Sequence, residues 1–247
     1  PTAEIIKVVN PTCNYRNDGS IEISVSGGTE PNTISWIGNN QNFGDEAILN
    51  DLPNGSYLAN VTDLNGCFAS VSANLTAPVK ISYSSSSSPV SCFGASTGSV
   101  STQISGGTSP YSVNWFNNDN QNIGTGISAE SLPTGRYYMS VKDINGCGIN
   151  SDSDTISQDI FVNQPQEPLQ ALISQIIKPK CFGDSNAKVT LSGKGGWSSY
   201  KYSLDGNSFT DLPVFSNLSA GNGQGFVKDK YGCIAEIDYE ISQPNQL

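Results

Sequence analysis

The chain contains no histidine and carries few charges, and these two absences exclude several classes of function. Of its 247 residues, 12 are Lys or Arg and 22 are Asp or Glu, which gives a net charge of −10 and a charged fraction of only 14%. Without histidine, neither a Ser-His-Asp triad nor a Cys-His dyad can form, and we expect no enzymatic activity. The acidic balance argues against nucleic acid and anionic membrane surfaces as partners, because both favour a basic face.

Long hydrophobic runs are also missing. No stretch approaches the ~18 consecutive apolar residues of a membrane-spanning helix, so we expect no membrane insertion, and no segment reads as a signal peptide. The chain begins at Pro1 without a methionine, and we expect a fragment of a longer protein. No CxxC pair is present and histidine is absent, which argues against zinc. We expect no bound cofactor.

What the chain does contain is an internal repeat marked by six cysteines. Three of them open a repeat and three close one, 52 to 55 residues later: Cys13 and Cys67, Cys92 and Cys147, Cys181 and Cys233. A diglycine follows each opening cysteine by fourteen residues, and a leucine precedes each closing one by fifteen. Regular spacing at this scale indicates a string of small domains. Six cysteines in fixed register favour an oxidising, extracellular setting.

Each repeat has the sequence pattern of short β-strands separated by turns. Apolar and polar residues alternate with the period of a half-buried strand around Ile21 to Val25 and Tyr111 to Trp115. An Asn-Gly pair just before Cys67 and another before Cys147 predict tight hairpins. About seven such strands per repeat predict an all-β fold of three tandem immunoglobulin-like β-sandwiches stacked head to tail.

We place the three domains at residues 1–79, 80–167 and 168–247. The third repeat departs most from the others, because Leu204 stands where Trp36 and Trp115 stand, and glycines occupy two inward positions before Val227. Glycine has no side chain to pack in a strand, so we expect the third domain to be the loosest. The two tryptophans are expected in the core.

The second repeat closely resembles the SprB repeat, which occurs in large surface adhesins of gliding Bacteroidota. The resemblance rests on Cys-Phe-Gly-Ala-Ser-Thr-Gly-Ser-Val at 92–100, Ser-Gly-Gly-Thr-Ser-Pro-Tyr at 105–111, Trp115, Leu-Pro-Thr-Gly-Arg-Tyr at 132–137 and Val-Lys-Asp-Ile-Asn-Gly-Cys at 141–147. It extends over the whole chain and is weaker in the third repeat. It implies an adhesin filament that is exported to the cell surface and moved by the gliding machinery.

The cysteine pairing follows from where each cysteine lies in a sandwich. An opening cysteine follows the first strand and a closing one follows the last hairpin turn, so the two lie at opposite poles, ~27 Å apart. A disulfide requires Cα atoms within about 7 Å. Head-to-tail stacking instead brings Cys13 to Cys147 and Cys92 to Cys233, across the two junctions. Pairing within each repeat and free thiols remain the alternatives, and Cys67 and Cys181 would await neighbouring repeats.

Two aromatic residues have positions that suggest a role at the second junction. Phe93 directly follows an opening cysteine, and Trp197 lies on the loop after a diglycine, where the other repeats have threonine. We expect Phe93 and Trp197 to bury each other where the second and third domains meet. A sugar-stacking site at Trp197 is the alternative.

The recurring aspartates Asp63, Asp143 and Asp229 lie in hairpin turns, where aspartate commonly accepts hydrogen bonds from backbone amides. We expect this structural role rather than a catalytic pair of carboxylates. Calcium stays open as a chemical alternative, because carboxylate oxygens are its preferred ligands. The candidate ligands are Asp18, Asp152, Asp154 and Asp159.

Together these patterns predict a repeat segment of an extracellular adhesin on a bacterial cell surface. It would act as a force-bearing spacer and surface-contact rod in adhesion and gliding. Its partners would be polysaccharide or abiotic surfaces and neighbouring repeats of the same chain, with no obligate oligomer. The alternatives are an array of carbohydrate-binding modules and the stalk of a secreted multidomain enzyme.

Overall fold

A computed structural model describes residues 1–153 and 156–246 of the chain. The described residues form twenty β-strands in six antiparallel sheets and contain no helix. The sheets face each other in pairs around three hydrophobic cores. The all-β fold and the tandem immunoglobulin-like sandwiches that the strand pattern predicts are confirmed. Since the described part of the chain has no helices, it has none that could span a membrane.

The first sandwich contains seven strands. They are β1 (Thr2–Val9), β2 (Gly19–Ser26), β3 (Thr33–Gly38), β4 (Gln41–Gly44), β5 (Ile48–Leu52), β6 (Gly55–Thr62) and β7 (Phe68–Leu75). One sheet has the order β1-β2-β5 and the other β4-β3-β6-β7. Cys13 therefore follows β1 at one pole, and Cys67 lies in the β6–β7 hairpin at the other.

The second sandwich repeats this order. Its strands are β8 (Ser82–Ser88), β9 (Gly98–Ser105), β10 (Ser112–Asn117), β11 (Asn122–Thr125), β12 (Ser128–Leu132), β13 (Gly135–Lys142) and β14 (Ile160–Val162). The sheets are β12-β9-β8 and β11-β10-β13-β14. Because β13 pairs with β14, the serine-rich stretch after Cys147 connects two strands of one sheet.

The third sandwich has one strand fewer, because the described residues form no counterpart of β4 and β11. Its six strands are β15 (Gln170–Ile177), β16 (Ala187–Lys194), β17 (Lys201–Ser203), β18 (Val214–Leu218), β19 (Gly221–Lys228) and β20 (Ile234–Ile241). The sheets are β15-β16-β18 and β17-β19-β20.

Inward-facing residues of both sheets fill each core. Trp36 on β3 and Trp115 on β10 are fully buried, as predicted. Their indole N–H groups donate to the main-chain oxygens of Glu46 and Gly126, at 2.8 and 3.0 Å, so that neither ring leaves a buried donor without a partner. The third core lacks an equivalent tryptophan and centres on Ala187, Val189, Leu191 and Ile241.

Candidate functional site: the two repeat junctions

A buried aspartate shapes each closing hairpin in the same way. Asp63, Asp143 and Asp229 are 5–8% exposed. In every repeat, Oδ1 of this aspartate accepts the backbone N–H of the closing cysteine four residues later, at 2.9 to 3.0 Å. It also accepts the N–H two residues later. The predicted role of these aspartates as acceptors of backbone amides is confirmed.

The other oxygen of the same aspartate reaches the neighbouring loop. Oδ2 accepts the N–H of the residue after the diglycine, which is Thr29, Thr108 or Trp197, at 2.9 to 3.0 Å. The hydrogen bonds from Thr29, Cys67 and Asn65 hold the pKa of Asp63 below its usual range. One carboxylate thus fixes the hairpin, the closing cysteine and the diglycine loop relative to one another.

The opening cysteines also lie in loops of common design. The carbonyl oxygen of each accepts the N–H of the residue three positions later, which is Arg16, Ala95 or Asp184, at 3.0 to 3.3 Å. The loop of the first repeat is closed by Asp18, whose carboxylate accepts the N–H and the hydroxyl of Thr12. Thr97 closes the second loop by accepting the Ser91 N–H at 2.8 Å.

The first junction is joined by a disulfide between Cys13 and Cys147, with Cα atoms 5.7 Å apart. Cys13 is 1% exposed. It packs with Tyr15 against the core of the second sandwich rather than that of its own. The opening loop of the first repeat is therefore inserted into the pole of the second.

Polar contacts surround this disulfide. The Arg16 guanidinium binds the Asp152 carboxylate at 2.9 to 3.1 Å, and the Tyr15 hydroxyl donates to the same carboxylate at 2.8 Å. The Tyr15 oxygen in turn accepts the Gly148 N–H at 2.8 Å. Arg16 also donates to the main-chain oxygen of Asn145 at 3.2 Å.

These contacts shift the ionisation of two side chains. The hydrogen bonds from Arg16 and Tyr15 lower the pKa of Asp152. Burial and the hydrogen bond to Asp152 raise the pKa of the Tyr15 phenol. Asp152 is thus held as a carboxylate and Tyr15 as a neutral donor, which is the combination that this network requires.

The second junction is joined by a disulfide between Cys92 and Cys233, also with Cα atoms 5.7 Å apart. The indole N–H of Trp197 donates to the main-chain oxygen of Val90 across the junction, at 3.0 Å. Its ring lies against that of Tyr231, with centroids 5.3 Å apart. Trp197 therefore belongs to the junction, with Val90 and Tyr231 as its partners.

Phe93 lies at the same junction but remains 43% exposed. Together with Pro168, Leu169, Gly196 and Ile234, among others, it borders a small cavity of about 190 Å³ beside the disulfide. Its ring is therefore only partly covered, less than mutual burial with Trp197 would require.

The calcium candidates engage other partners. Asp18 is held by Thr12 and lies 3.9 Å from Arg16, Asp152 binds Arg16, and Asp159 binds Arg136 at 3.1 Å. Asp154 lies outside the described residues. Within the described ranges, no group of three or more acidic, cysteine or histidine side chains is placed to hold a metal ion.

The structure therefore pairs the four cysteines across the junctions, in the two pairs that the argument from the poles favours. Cys67 and Cys181 remain as exposed thiols. The sequence did not point to Tyr15, Arg16 or Tyr231 as junction residues. They occur in one repeat each, so no repeat pattern marks them, and the partner of Arg16 lies 136 residues away.

The geometry defines a class of protein: tandem immunoglobulin-like sandwiches locked to one another by disulfides at their poles. Residues 5–41, 84–120 and 178–209 match the model of the SprB repeat. The chain thus carries three segments that match the SprB repeat. Each match includes an opening cysteine and a diglycine, whereas the closing hairpins lie outside the matched ranges. The family match supports the interpretation that the chain is part of the repeat region of a surface adhesin. The two disulfides are typical of an extracellular protein.

A solved structure of three tandem domains resembles the chain in fold. The three N-terminal domains of the Highly Immunogenic Outer Capsid protein of bacteriophage RB49 match with a TM-score of 0.54 and 12% identity, covering 99% of both chains. A tetra-tandem repeat from the extending region of a large adhesion protein gives a TM-score of 0.30 at 11% identity, over 97% of this chain and 73% of that one. No curated protein sequence matches the chain.

Proposed function

We propose that the chain is a segment of a filament on a bacterial cell surface, where it acts as a force-bearing spacer and surface-contact rod in adhesion and gliding. The observation that carries this proposal is the pair of disulfides that cross the junctions. A disulfide that only stabilised one small domain would lie within it. A bond between neighbours resists their separation, which is the property that a filament under tension needs.

The connectivity supports this function through the path that tension takes. Pulled from its ends, the oxidised chain carries tension through residues 1–13, crosses to Cys147, runs back to Cys92, and crosses to Cys233 before leaving. Only residues 1–13, 92–147 and 233–247 lie on this path, roughly a third of the chain. Most of the first and third sandwiches is shielded from the pull.

Force spectroscopy on the chain held by its two ends tests this function. At about 3.4 Å per residue, full extension reaches about 290 Å with both disulfides and about 840 Å without them. We expect the shorter length in oxidising buffer and the longer one for a variant with Cys13→Ser, Cys92→Ser, Cys147→Ser and Cys233→Ser. Cys67→Ser is the matched control and keeps the short length. Equal extension with and without the four cysteines would contradict a force-bearing role for the junctions.

The place on the cell and the link to gliding need a separate experiment. Beads coated with antibodies against this segment should bind intact cells of the source bacterium and be carried along them. Contact with polysaccharide or abiotic surfaces would then arise from many weak contacts along an array. Beads that bind but stay in place would favour an adhesin without a gliding role.

One feature favours an alternative function as a carbohydrate-binding module. Phe116 on β10 and Tyr138 on β13 stack on the outer face of the second sandwich, with centroids 5.3 Å apart and planes 14° apart. The Tyr138 hydroxyl donates to Asn120 at 2.7 Å. Aromatic rings beside amide groups can bind sugars. If this function holds, a glycan array detects a defined ligand for the chain, and Tyr138→Ala abolishes the binding while Ile127→Ala does not.

A further inference from the structure

The two exposed thiols occupy positions that are bonded in the other repeats. The opening cysteine of the first repeat bonds to the closing cysteine of the second, and that of the second bonds to the closing cysteine of the third. Cys67 is the closing cysteine that this pattern leaves over, and Cys181 is the opening one. Both are exposed and unbonded.

The pole that carries Cys67 is built like the two engaged closing poles, which are those whose cysteines, Cys147 and Cys233, are bonded at a junction. Asp63 accepts the Cys67 N–H at 2.9 Å and the Thr29 N–H at 3.0 Å. At the engaged poles, Asp143 and Asp229 make the same pair of contacts. The Cys67 hairpin thus holds the bonding geometry without a partner.

The pole that carries Cys181 is likewise built like an engaged opening pole. The Cys181 carbonyl accepts the Asp184 N–H at 3.3 Å, as the Cys13 carbonyl accepts that of Arg16. Gln243 accepts the Gly183 N–H at 2.9 Å, and in the engaged second repeat Gln164 accepts the Gly94 N–H at 3.1 Å. Phe182 corresponds to Phe93 and is 49% exposed.

Exposed apolar residues lie next to both cysteines in the sequence. Leu64 and Phe68 beside Cys67 are 65% and 79% exposed. Phe68 directly follows its closing cysteine, as Ile234 follows Cys233, and Ile234 borders the junction cavity together with Phe93. A partner that presents the opening loop of another repeat would therefore bring its Phe182 equivalent onto Phe68.

We propose that the Cys67 pole is a docking site for the opening pole of another SprB-type repeat, and that this partner becomes linked through a disulfide. In a solution of this chain alone, the occupant is the Cys181 pole of a second copy. The proposal rests on the rod function above and extends it. Each segment would join the next through the same kind of disulfide, between an opening and a closing cysteine, that joins the sandwiches within the chain. It uses the interface that already joins the three sandwiches.

The bond forms by thiol–disulfide exchange with a low-molecular-weight disulfide such as oxidised glutathione. One protein thiolate attacks oxidised glutathione, forming a mixed disulfide and releasing one glutathione thiolate. The thiolate of the docked partner then displaces the second glutathione. The two cysteines lose two electrons and two protons in total, and one oxidised glutathione becomes two reduced molecules.

Two single variants allow a direct test. Cys67→Ser leaves only Cys181 free, and Cys181→Ser leaves only Cys67 free. We mix the two variants in equal amounts with oxidised glutathione and measure the cross-linked dimers by non-reducing electrophoresis and peptide mapping. Random collision gives as many homodimers as heterodimers. Docking raises the effective concentration of the correct pair, and we expect about tenfold more Cys67–Cys181 heterodimer than the two homodimers combined.

A second substitution separates docking from thiol reactivity. Phe182→Asp, made in the Cys67→Ser chain, should lower the yield of heterodimer to the random level. Ile127→Asp alters an apolar residue of the second sandwich that is also exposed, at 67%, and should leave the yield unchanged. A random mixture of dimers, or a yield indifferent to Phe182→Asp, would overturn the docking site. The rod function would survive that result, because its force test depends only on the two internal disulfides.

Discussion

At the scale of single residues, one buried carboxylate organises each closing pole. Asp143 accepts three backbone N–H groups, from Thr108, Asn145 and Cys147. It is 5% exposed, so water cannot readily replace a lost acceptor. The position of Cys147, which forms the disulfide of the first junction, therefore depends on the side chain of Asp143, four residues earlier.

Replacing this carboxylate tests its role. In Asp143→Asn, an amide NH2 replaces one acceptor oxygen and faces a backbone N–H, which leaves a buried donor unpaired. We expect a loss of about 1–3 kcal/mol in unfolding free energy, measured by chemical denaturation. Asp119→Asn, at an exposed position of the same sandwich, is the control and should change little. Equal effects of the two substitutions would contradict the role of Asp143.

The ionisation of Asp152 predicts a response of the first junction to acid. Its pKa is lowered in the folded chain by Arg16 and Tyr15. The stabilisation is therefore complete above the ordinary carboxyl range, near pH 4, and is lost as the pH falls through the lowered value. With Cys13→Ser and Cys147→Ser removing the disulfide, we expect the unfolding temperature of the junction to fall in this window.

The matched variants separate this contact from other carboxylates. Asp152→Asn, made in the same disulfide-free chain, should flatten the acid response. Asp159→Asn should leave it intact, because Asp159 binds Arg136 within the second sandwich. The response should also weaken at high salt, because the pair is partly exposed. If the acid response persists in Asp152→Asn, a group other than Asp152 causes it.

At the scale of strands, the third sandwich shows how one fold accommodates a different core. In the first sandwich, Tyr57 on β6 faces Ala73 on β7. In the third, the tyrosine has moved to the neighbouring strand, where Tyr239 on β20 faces Gly223 on β19. A Cβ at Gly223 would lie 2.5 Å from the Tyr239 ring. The Tyr239 ring therefore occupies the space that a side chain at position 223 would need.

This exchange predicts a coupled pair. Gly223→Ala should destabilise the third sandwich by about 1–3 kcal/mol through overpacking, measured by thermal or chemical unfolding. When Tyr239→Ala has already removed the ring, the same methyl group should cost much less, so the two effects are not additive. Additive effects would show that the ring and the glycine do not share this space.

The sequence predicts the strand pattern well, but it does not predict the move of the core tyrosine from one strand to its neighbour in the third sandwich. Alternation along β2 and β10 depends on neighbours in one segment, and it correctly predicts half-buried strands, with Trp115 of β10 inside. The exchange depends on a pair of residues from two strands, so the glycines of β19 alone suggest only a loss of packing. That the third domain is the loosest stays a prediction. The ion pair of the first junction is not predictable from local sequence patterns, because Arg16 and Asp152 are far apart in the sequence and meet only in the folded chain.

At the scale of the whole molecule, the disulfides connect residues 134 and 141 positions apart. A cross-link over such long loops removes much conformational entropy from the unfolded chain. We expect Cys92→Ser with Cys233→Ser to lower the stability of the third sandwich by about 2–5 kcal/mol, followed by calorimetry. Cys67→Ser removes an unbonded thiol and is the control. An unchanged unfolding temperature in the double variant would mean that the second junction contributes little to stability.

We expect the disulfides at the junctions to restrict how neighbouring sandwiches move relative to one another. Each disulfide acts together with direct contacts, the Arg16–Asp152 pair at the first junction and the Trp197–Val90 hydrogen bond at the second. Two attachment points restrict bending more than a single peptide linker does. The sequence alone favoured this arrangement through the positions of the cysteines at the poles, and the structure adds the side chains that accompany them.

Small-angle X-ray scattering of the chain with and without reductant shows directly whether the two disulfides hold the three sandwiches in a stiff rod. We expect a stiff, elongated particle when the disulfides are intact and a broader, more flexible distribution of shapes once they are reduced. Cys67→Ser should behave like the parent chain in both conditions. Scattering that shows the same flexibility in both redox states would contradict a disulfide-stapled rod and leave independent modules on a tether.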